Sequence, residues 1–178
     1  MKPIFAVFVN ICLLRRGPEL VPTHPLFVGA VVFADMLLSF YLTVRYGGQA
    51  TPIQVATGVL VSMATVAAVT WIMLSMRDVI GRYPATITAL FGCQLLFTLL
   101  SAIVMPLAGE SGSVRISVFG LIAIWSIAVD GFILHRALNV TVLIGILLAL
   151  CMGFFASALS ISASGPYIDA PAAHTDLQ

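Results

Sequence analysis

Charge is what this chain has least of. Asp, Glu, Lys and Arg make up 8% of its 178 residues, against about 25% in an ordinary soluble domain. That shortage excludes a water-facing surface of the extent a soluble protein of this length needs. Neither sign prevails, since eight Lys and Arg stand against seven Asp and Glu. The broad basic field that draws in nucleic acid is therefore missing, and nucleic acid is excluded as a partner. Cysteine is scarce as well. Cys12, Cys93 and Cys151 lie far apart with no CxxC or Cys/His spacing, which signals neither a disulfide framework nor a zinc site. They are expected to act as small packing residues. The signatures of catalysis are also absent: there is no GxSxG, HExxH or phosphate-binding loop, and His24, His135 and His174 fall on connectors or tail. An enzyme is not expected, nor a metal or any other cofactor.

What the chain does have is apolar length. Hydrophobic residues make up 61%, against about 45–50% in soluble domains, and the excess must face lipid. Five segments are long enough to cross a hydrocarbon core of about 30 Å, which takes roughly 20 helical residues. They are Leu26 to Val44, Ile53 to Ser75, Ala85 to Leu107, Ile116 to Leu134 and Asn139 to Ile161. The separators "RYGGQATP", "MRDVIGRYP" and "AGESGSVR" gather charges, glycines and prolines that end or begin helices. The fourth, "HRAL" (His135 to Leu138), is so short that the last two helices should form a tight antiparallel hairpin or one long bent pair.

The first 14 residues, "MKPIFAVFVNICLL", are apolar but too short to cross. A secretory signal peptide is the rival reading, yet Arg15-Arg16-Gly17-Pro18 follows with no small-x-small cleavage pattern. The stretch is instead expected to be an interfacial helix ended at Gly17-Pro18. Pro18, Pro22 and Pro25 then make an extended connector. The fold class is accordingly all-α: a polytopic bundle of five transmembrane helices (residues 26–161), preceded by a short interfacial helix and proline-rich connector (1–25). The polar, aperiodic tail (162–178) is expected to be disordered.

Orientation follows from the loops. With the N-terminus in the cytoplasm, the inner segments hold Lys2, Arg15, Arg16, Arg77, Arg82 and Arg136, and the outer ones only Arg45 and Arg115. Six against two favours that arrangement, which places the C-terminus on the far side.

A few residues are out of place. Asp35 falls at the middle of the first span, where a charge costs about 2.5–3.5 kcal/mol on insertion scales, so it should face protein. Asp130 lies nearer the cytoplasmic end of "AIWSIAVDGFILHR". His135 and Arg136 stand five and six positions on, neither at the i+3 or i+4 spacing that pairs side chains on a helix, so a partner on another helix is expected, with Arg77 and Arg82 as candidates. Two readings compete. In one, Asp35 and Asp130 line a proton or cation path with Gln94, Thr57, Thr65 and Thr98 as polar steps. In the other, each acid is a neutral or hydrogen-bonded structural contact between helices. The second is preferred, because transporters this small usually work through oligomers or internal repeats, and the halves show no repeat.

The last span carries a packing signal: Gly145, Ala149, Gly153 and Ser157 recur every four residues, forming a groove for a neighbouring backbone from this chain or a second copy. Ala85, Ala89 and Cys93, and Gly58 with Ser62, are weaker versions. Trp71 suits an interface, while Trp125, near mid-depth, should donate its indole N–H to another helix.

The blocks "GRYPATITALFGCQLL" (Gly81 to Leu96), "WSIAVDGFILHRAL" (Trp125 to Leu138) and "LLRRGPELVP" (Leu13 to Pro22) resemble those of a group of small inner-membrane proteins of proteobacteria that has no assigned activity. The chain is also distantly similar to Yip1-type membrane proteins, whose cytoplasmic N-terminus and five helices imply the same topology. That resemblance implies a bacterial inner-membrane location and carries over no active residue. With so little chain outside the bilayer, the expected role is a non-enzymatic assembly, scaffold or accessory factor acting through helix–helix contacts, its partners the lipid bilayer and another membrane protein or a second copy of itself. The alternative is a small channel or transporter using Asp35 and Asp130.

Overall fold

The computed structural model describes residues 4–15, 17–18, 21–46, 50–107 and 112–164. Among these the chain forms α1 (Ile4–Cys12), α2 (Pro25–Tyr46), α3 (Pro52–Ser75), α4 (Tyr83–Leu107), α5 (Gly112–Leu138) and α6 (Val142–Ser164), with a single 3-10 turn (Ile80–Arg82) before α4. Five of them, α2 to α6, are long and apolar enough to cross a membrane. Helices are forced by the solvent: in hydrocarbon each backbone N–H and C=O must pair within its own segment. The chain is an all-α polytopic bundle with a short N-terminal helix. Most of the tail expected to be disordered lies outside the described residues; its first residues, 162–164, continue α6.

Local chemistry sets the ends. Thr51 and Gln54 form a capping box at the start of α3, with the Thr51 N–H donating to Gln54 Oε1 at 3.0 Å and Pro52 preset for the first turn. Three helix ends share one closure. Leu14, Asp78 and Asn139 adopt positive φ (58°, 55° and 53°), and the next N–H donates back five residues, Arg15 to Asn10, Val79 to Leu74 and Val140 to His135, which is the Schellman arrangement. This explains why α5 ends at Leu138 rather than at Leu134 as expected. "HRAL" is the last turn of α5 rather than the loop, because His135 and Arg136 suit a helix C-terminus and the stop is supplied by Asn139, a residue tolerant of the left-handed region. The loop is residues 139–141, and the hairpin is as tight as expected.

The five spans make a ring in the cyclic order α2, α4, α5, α6, α3. At one end α3 and α5 finish, α4 and α6 begin, and Arg77, Arg82 and Arg136 gather; this arginine end is closed. Leu74, Leu134 and Leu138 pack there against Ala149 and Met152, and Tyr83 Oη donates to the Ala67 carbonyl at 3.3 Å. α5 and α6 meet backbone to backbone: a Cβ on Gly131 would stand 2.6 Å from Ile146 Cα, and one on Gly145 would strike the Gly131 carbonyl.

α1 sits deeper than a helix lying flat on the surface. Phe8 and Ile11 belong to the main core with Ile87, Leu90, Val129 and Ile133. The Phe8 ring fills the space that a Cβ on Gly92 would need, roughly 14 Å along α4 at about 1.5 Å per residue. Trp125 Nε1 donates to the Cys12 carbonyl at 3.1 Å, so its indole does reach another helix, and that helix is α1. The short apolar helix is thus held by side chains of α2, α4 and α5.

Candidate functional site

The ring encloses a cavity of about 490 Å³, lined by all five spans. It runs from mid-depth towards the end opposite the arginines, where Thr43, Ala50, Gln54 and Ser164 line it and Thr43 is exposed. Its inner limit is apolar, made by Met63, Val66, Leu90, Phe91 and Met152. Into that limit two carboxyls are set, Asp35 from α2 and Asp130 from α5.

Asp35 is 2% exposed, and its Oδ1 has no hydrogen-bond partner among the described residues. Such an atom forfeits its hydration without compensation, a loss of about 1–3 kcal/mol. Asp130 is half-buried and lines the same space. No Lys, Arg or His side chain lines it among the described residues. The arginines expected to answer Asp130 are elsewhere: Arg82 Nη1 donates to the carbonyls of Arg136 (3.4 Å) and Ala137 (3.2 Å), closing the C-terminus of α5, the Arg136 guanidinium lies over the Phe132 ring at 5.6 Å, and Arg77 is exposed at the arginine end. Asp130 is roughly 12 Å back from that helix end, at about 1.5 Å per residue, and faces the ring interior instead.

Above the acids the walls are hydroxylic. Asp35, Ser39 and Thr43 descend one face of α2, Gln54 and Ser62 stand on α3, Ser126 on α5, and Ser157, Ser160 and Ser164 on α6. Several of these hydroxyls donate their one hydrogen to a backbone carbonyl. Thr43 gives to Ser39 (2.8 Å), Ser126 to Ala123 (2.9 Å), Ser160 to Gly58 (2.9 Å) and Ser164 to Ser160 (2.8 Å), with the Gln54 carbonyl also in reach of Ser164 (3.2 Å). What remains on each is oxygen able to accept. The lining is therefore rich in acceptors, and its only ionisable groups among the described residues are acids, a surface suited to positive charge.

Of the polar residues singled out from sequence, Asp35, Asp130 and Gln94 come together at this cavity. Thr57, Thr65 and Thr98 do not; each hydroxyl bonds back to its own helix, at Ile53, Val61 and Gln94. Gly145 and Ala149 are buried and Gly153 and Ser157 exposed, and all but Gly145 line the cavity. A four-residue step advances about 40° more than one turn of a 3.6-residue helix, so the stripe rotates off the contact. Met152 and Ala156 take its place in the packed face. Ser39, Thr43, Gln54 and Ser126 were missed by sequence reading, and Ser62, expected only as a small packing residue, lines the cavity with them. Their signal was present: Asp35, Ser39 and Thr43, Gln54 and Ser62, and Ser126 and Asp130 recur at fours and eights, one face of a helix.

No protein-family model, curated protein or solved structure matches the chain.

Proposed function

We propose that this integral membrane protein is a small transport protein, in which a proton or cation enters the ring cavity and is taken up at Asp35 and Asp130. The observation that carries this reading is Asp35 Oδ1, buried and without a hydrogen-bond partner among the described residues, at the inner limit of a cavity whose described lining holds a second acid and no basic side chain. A carboxyl kept as a contact between helices would be matched by a donor on the facing helix; the described residues supply none to this oxygen. In the proposed orientation the protein lies in a bacterial inner membrane with a cytoplasmic N-terminus and periplasmic C-terminus. The excess of Lys and Arg at the ends of α1, α3 and α5 supports this, and the cavity then faces the periplasm.

The assembly-factor reading drew on the groove of α6. Of that groove, Gly145 and Ala149 are buried while Gly153 and Ser157 are exposed, so only its second half is open to a partner helix. Proton and cation flux into proteoliposomes tests the transport reading. Flux should be present in the native protein and lost in the Asp35→Asn, Asp130→Asn double variant; equal flux in both would remove these residues from any pathway.

A further inference from the structure

The same cavity distinguishes between classes of cation. A bare metal ion sheds its water only where a set of oxygens replaces it, about six to eight for Ca²⁺ and a full carbonyl cage for K⁺. Here Asp35 and Asp130 stand among Met63, Val66, Leu90 and Met152, with hydroxyls mostly higher on the walls. No cluster of three or more His, Cys, Asp or Glu that could hold a metal exists among the described residues. Beyond the two acids, an inorganic ion there would draw on the side-chain oxygens of Ser39, Ser62, Gln94 and Ser126 among the described residues, and would have methyl and thioether groups on its remaining sides. An ammonium with carbon substituents has the opposite needs. Its charge is met by one or two carboxylates, and its body gains from apolar walls that would repel a hydrated ion. The volume, about 490 Å³, lies within the roughly 300–1,000 Å³ of small-molecule sites.

We propose that the ligand of this cavity is a small organic monocation with an apolar body, its charged end at the Asp35 and Asp130 carboxyls and its body against Met63, Leu90 and Met152. The positive charge that the described lining lacks is then brought by the ligand, and the Asp35 carboxyl, unmatched by any donor at Oδ1 among the described residues, gains a counter-charge on binding. The inference deepens the transport reading by naming a substrate class, but it concerns binding and stands whether or not the ligand moves.

The test is binding of 2-phenylethylammonium to the full chain in detergent, by titration calorimetry and by protection against thermal unfolding. 2-Phenylethanol serves as the uncharged match and sodium chloride as the inorganic one. Saturable binding of the amine is expected, weakened about tenfold or more in Asp35→Asn, as loss of a charge-assisted contact implies, and partly kept in Asp35→Glu. Gly153→Leu supplies a variant that leaves the acids intact: Gly153 lines the cavity and a Cβ there meets nothing within 4 Å, so a larger side chain is expected to occupy the cavity and abolish binding, with circular dichroism and thermal unfolding of the empty protein checking that the fold is kept. Should Asp35→Asn fail to fold, Gly153→Leu alone decides the location. Equal affinity in Asp35→Asn or Gly153→Leu, equal protection by 2-phenylethanol, or protection by sodium with none from the amine would each overturn the proposal. Amine binding without flux sinks the transport reading alone, and proton flux without amine binding sinks this inference alone.

Discussion

Two glycines on one face of α6 look interchangeable in sequence and differ in the structure, which makes Gly145→Ala and Gly153→Ala a matched pair. The same methyl is added to the same helix eight residues apart. At Gly145 it would strike the Gly131 carbonyl oxygen and come within 2.9 Å of both Cβ and N of His135. Carbon atoms pack comfortably at about 3.5–4.0 Å, and none of these partners is the end of a side chain that can swing aside. α5 and α6 must separate, by something near 1 Å. A gap of about 0.5–1 Å forfeits roughly a quarter to a half of each dispersion contact, and the loss extends along the hairpin to Leu134, Leu138, Ala149 and Met152. Overpacking of this kind costs about 1–3 kcal/mol, and rigid backbone on both sides places Gly145→Ala towards the upper end. At Gly153 the methyl meets nothing, and the helix gains at most the propensity difference of about 1 kcal/mol. A separation of about 3 kcal/mol between the two variants is expected. Unfolding by SDS titration from mixed micelles, followed by Trp fluorescence and circular dichroism, measures it. Equal stabilities would refute the close approach of α5 and α6 at Gly145.

Asp35→Leu should stabilise the empty protein by about 1–3 kcal/mol, since an unpaired buried polar atom gives way to an apolar group of similar size, while flux is lost; a fall in stability in the same SDS titration would mean that Asp35 holds the fold together. In a cysteine-free background, Ser39→Cys and Ser160→Cys should react with a membrane-impermeant methanethiosulfonate, and only from the periplasmic side, whereas Ile103→Cys, 61% exposed on the outside of α4, should not react from either. Labelling from the cytoplasm would reverse the orientation inferred from the arginines.

The architecture was legible because lipid removes choices. A run of about 20 apolar residues in a bilayer has only a helix to form, so the five spans can be counted from composition and length, with ends that shift by a few residues where caps such as Thr51 and Asn139 act. Rotation about each helix axis was not legible. All five spans are apolar all round, so no strong stripe tells the face towards the ring from the face towards lipid. The small-residue repeat of α6 misled for that reason, since a spacing of four drifts around a helix whose period is 3.6. The place of α1 was hidden differently: nothing in "IFAVFVNIC" separates a helix on the membrane surface from one whose Phe8 slots over Gly92, because that contact depends on a glycine more than eighty residues away.

The acids were conspicuous from the start, and what sequence withheld was whether each had a partner. Preference for a structural role assumed that a buried carboxyl finds a donor, as nearly all buried polar groups do. The rest of this molecule obeys that rule: the buried hydroxyls of Thr70, Thr86 and Thr88 donate to Met152 Sδ and to the Arg82 and Pro84 carbonyls. Asp35 Oδ1 is the one buried side-chain oxygen or nitrogen among the described residues left without a partner. A fold able to satisfy three buried hydroxyls had Thr or Asn available at position 35 at smaller expense, and α5 places Asp130 against the same cavity, adding like charge where a donor would have relieved it. Stability alone favours neither acid, and departures from local consistency of this kind concentrate at functional sites. What joins the two departures is the cavity they both line, which is why the transport proposal rests on the pair rather than on either acid alone.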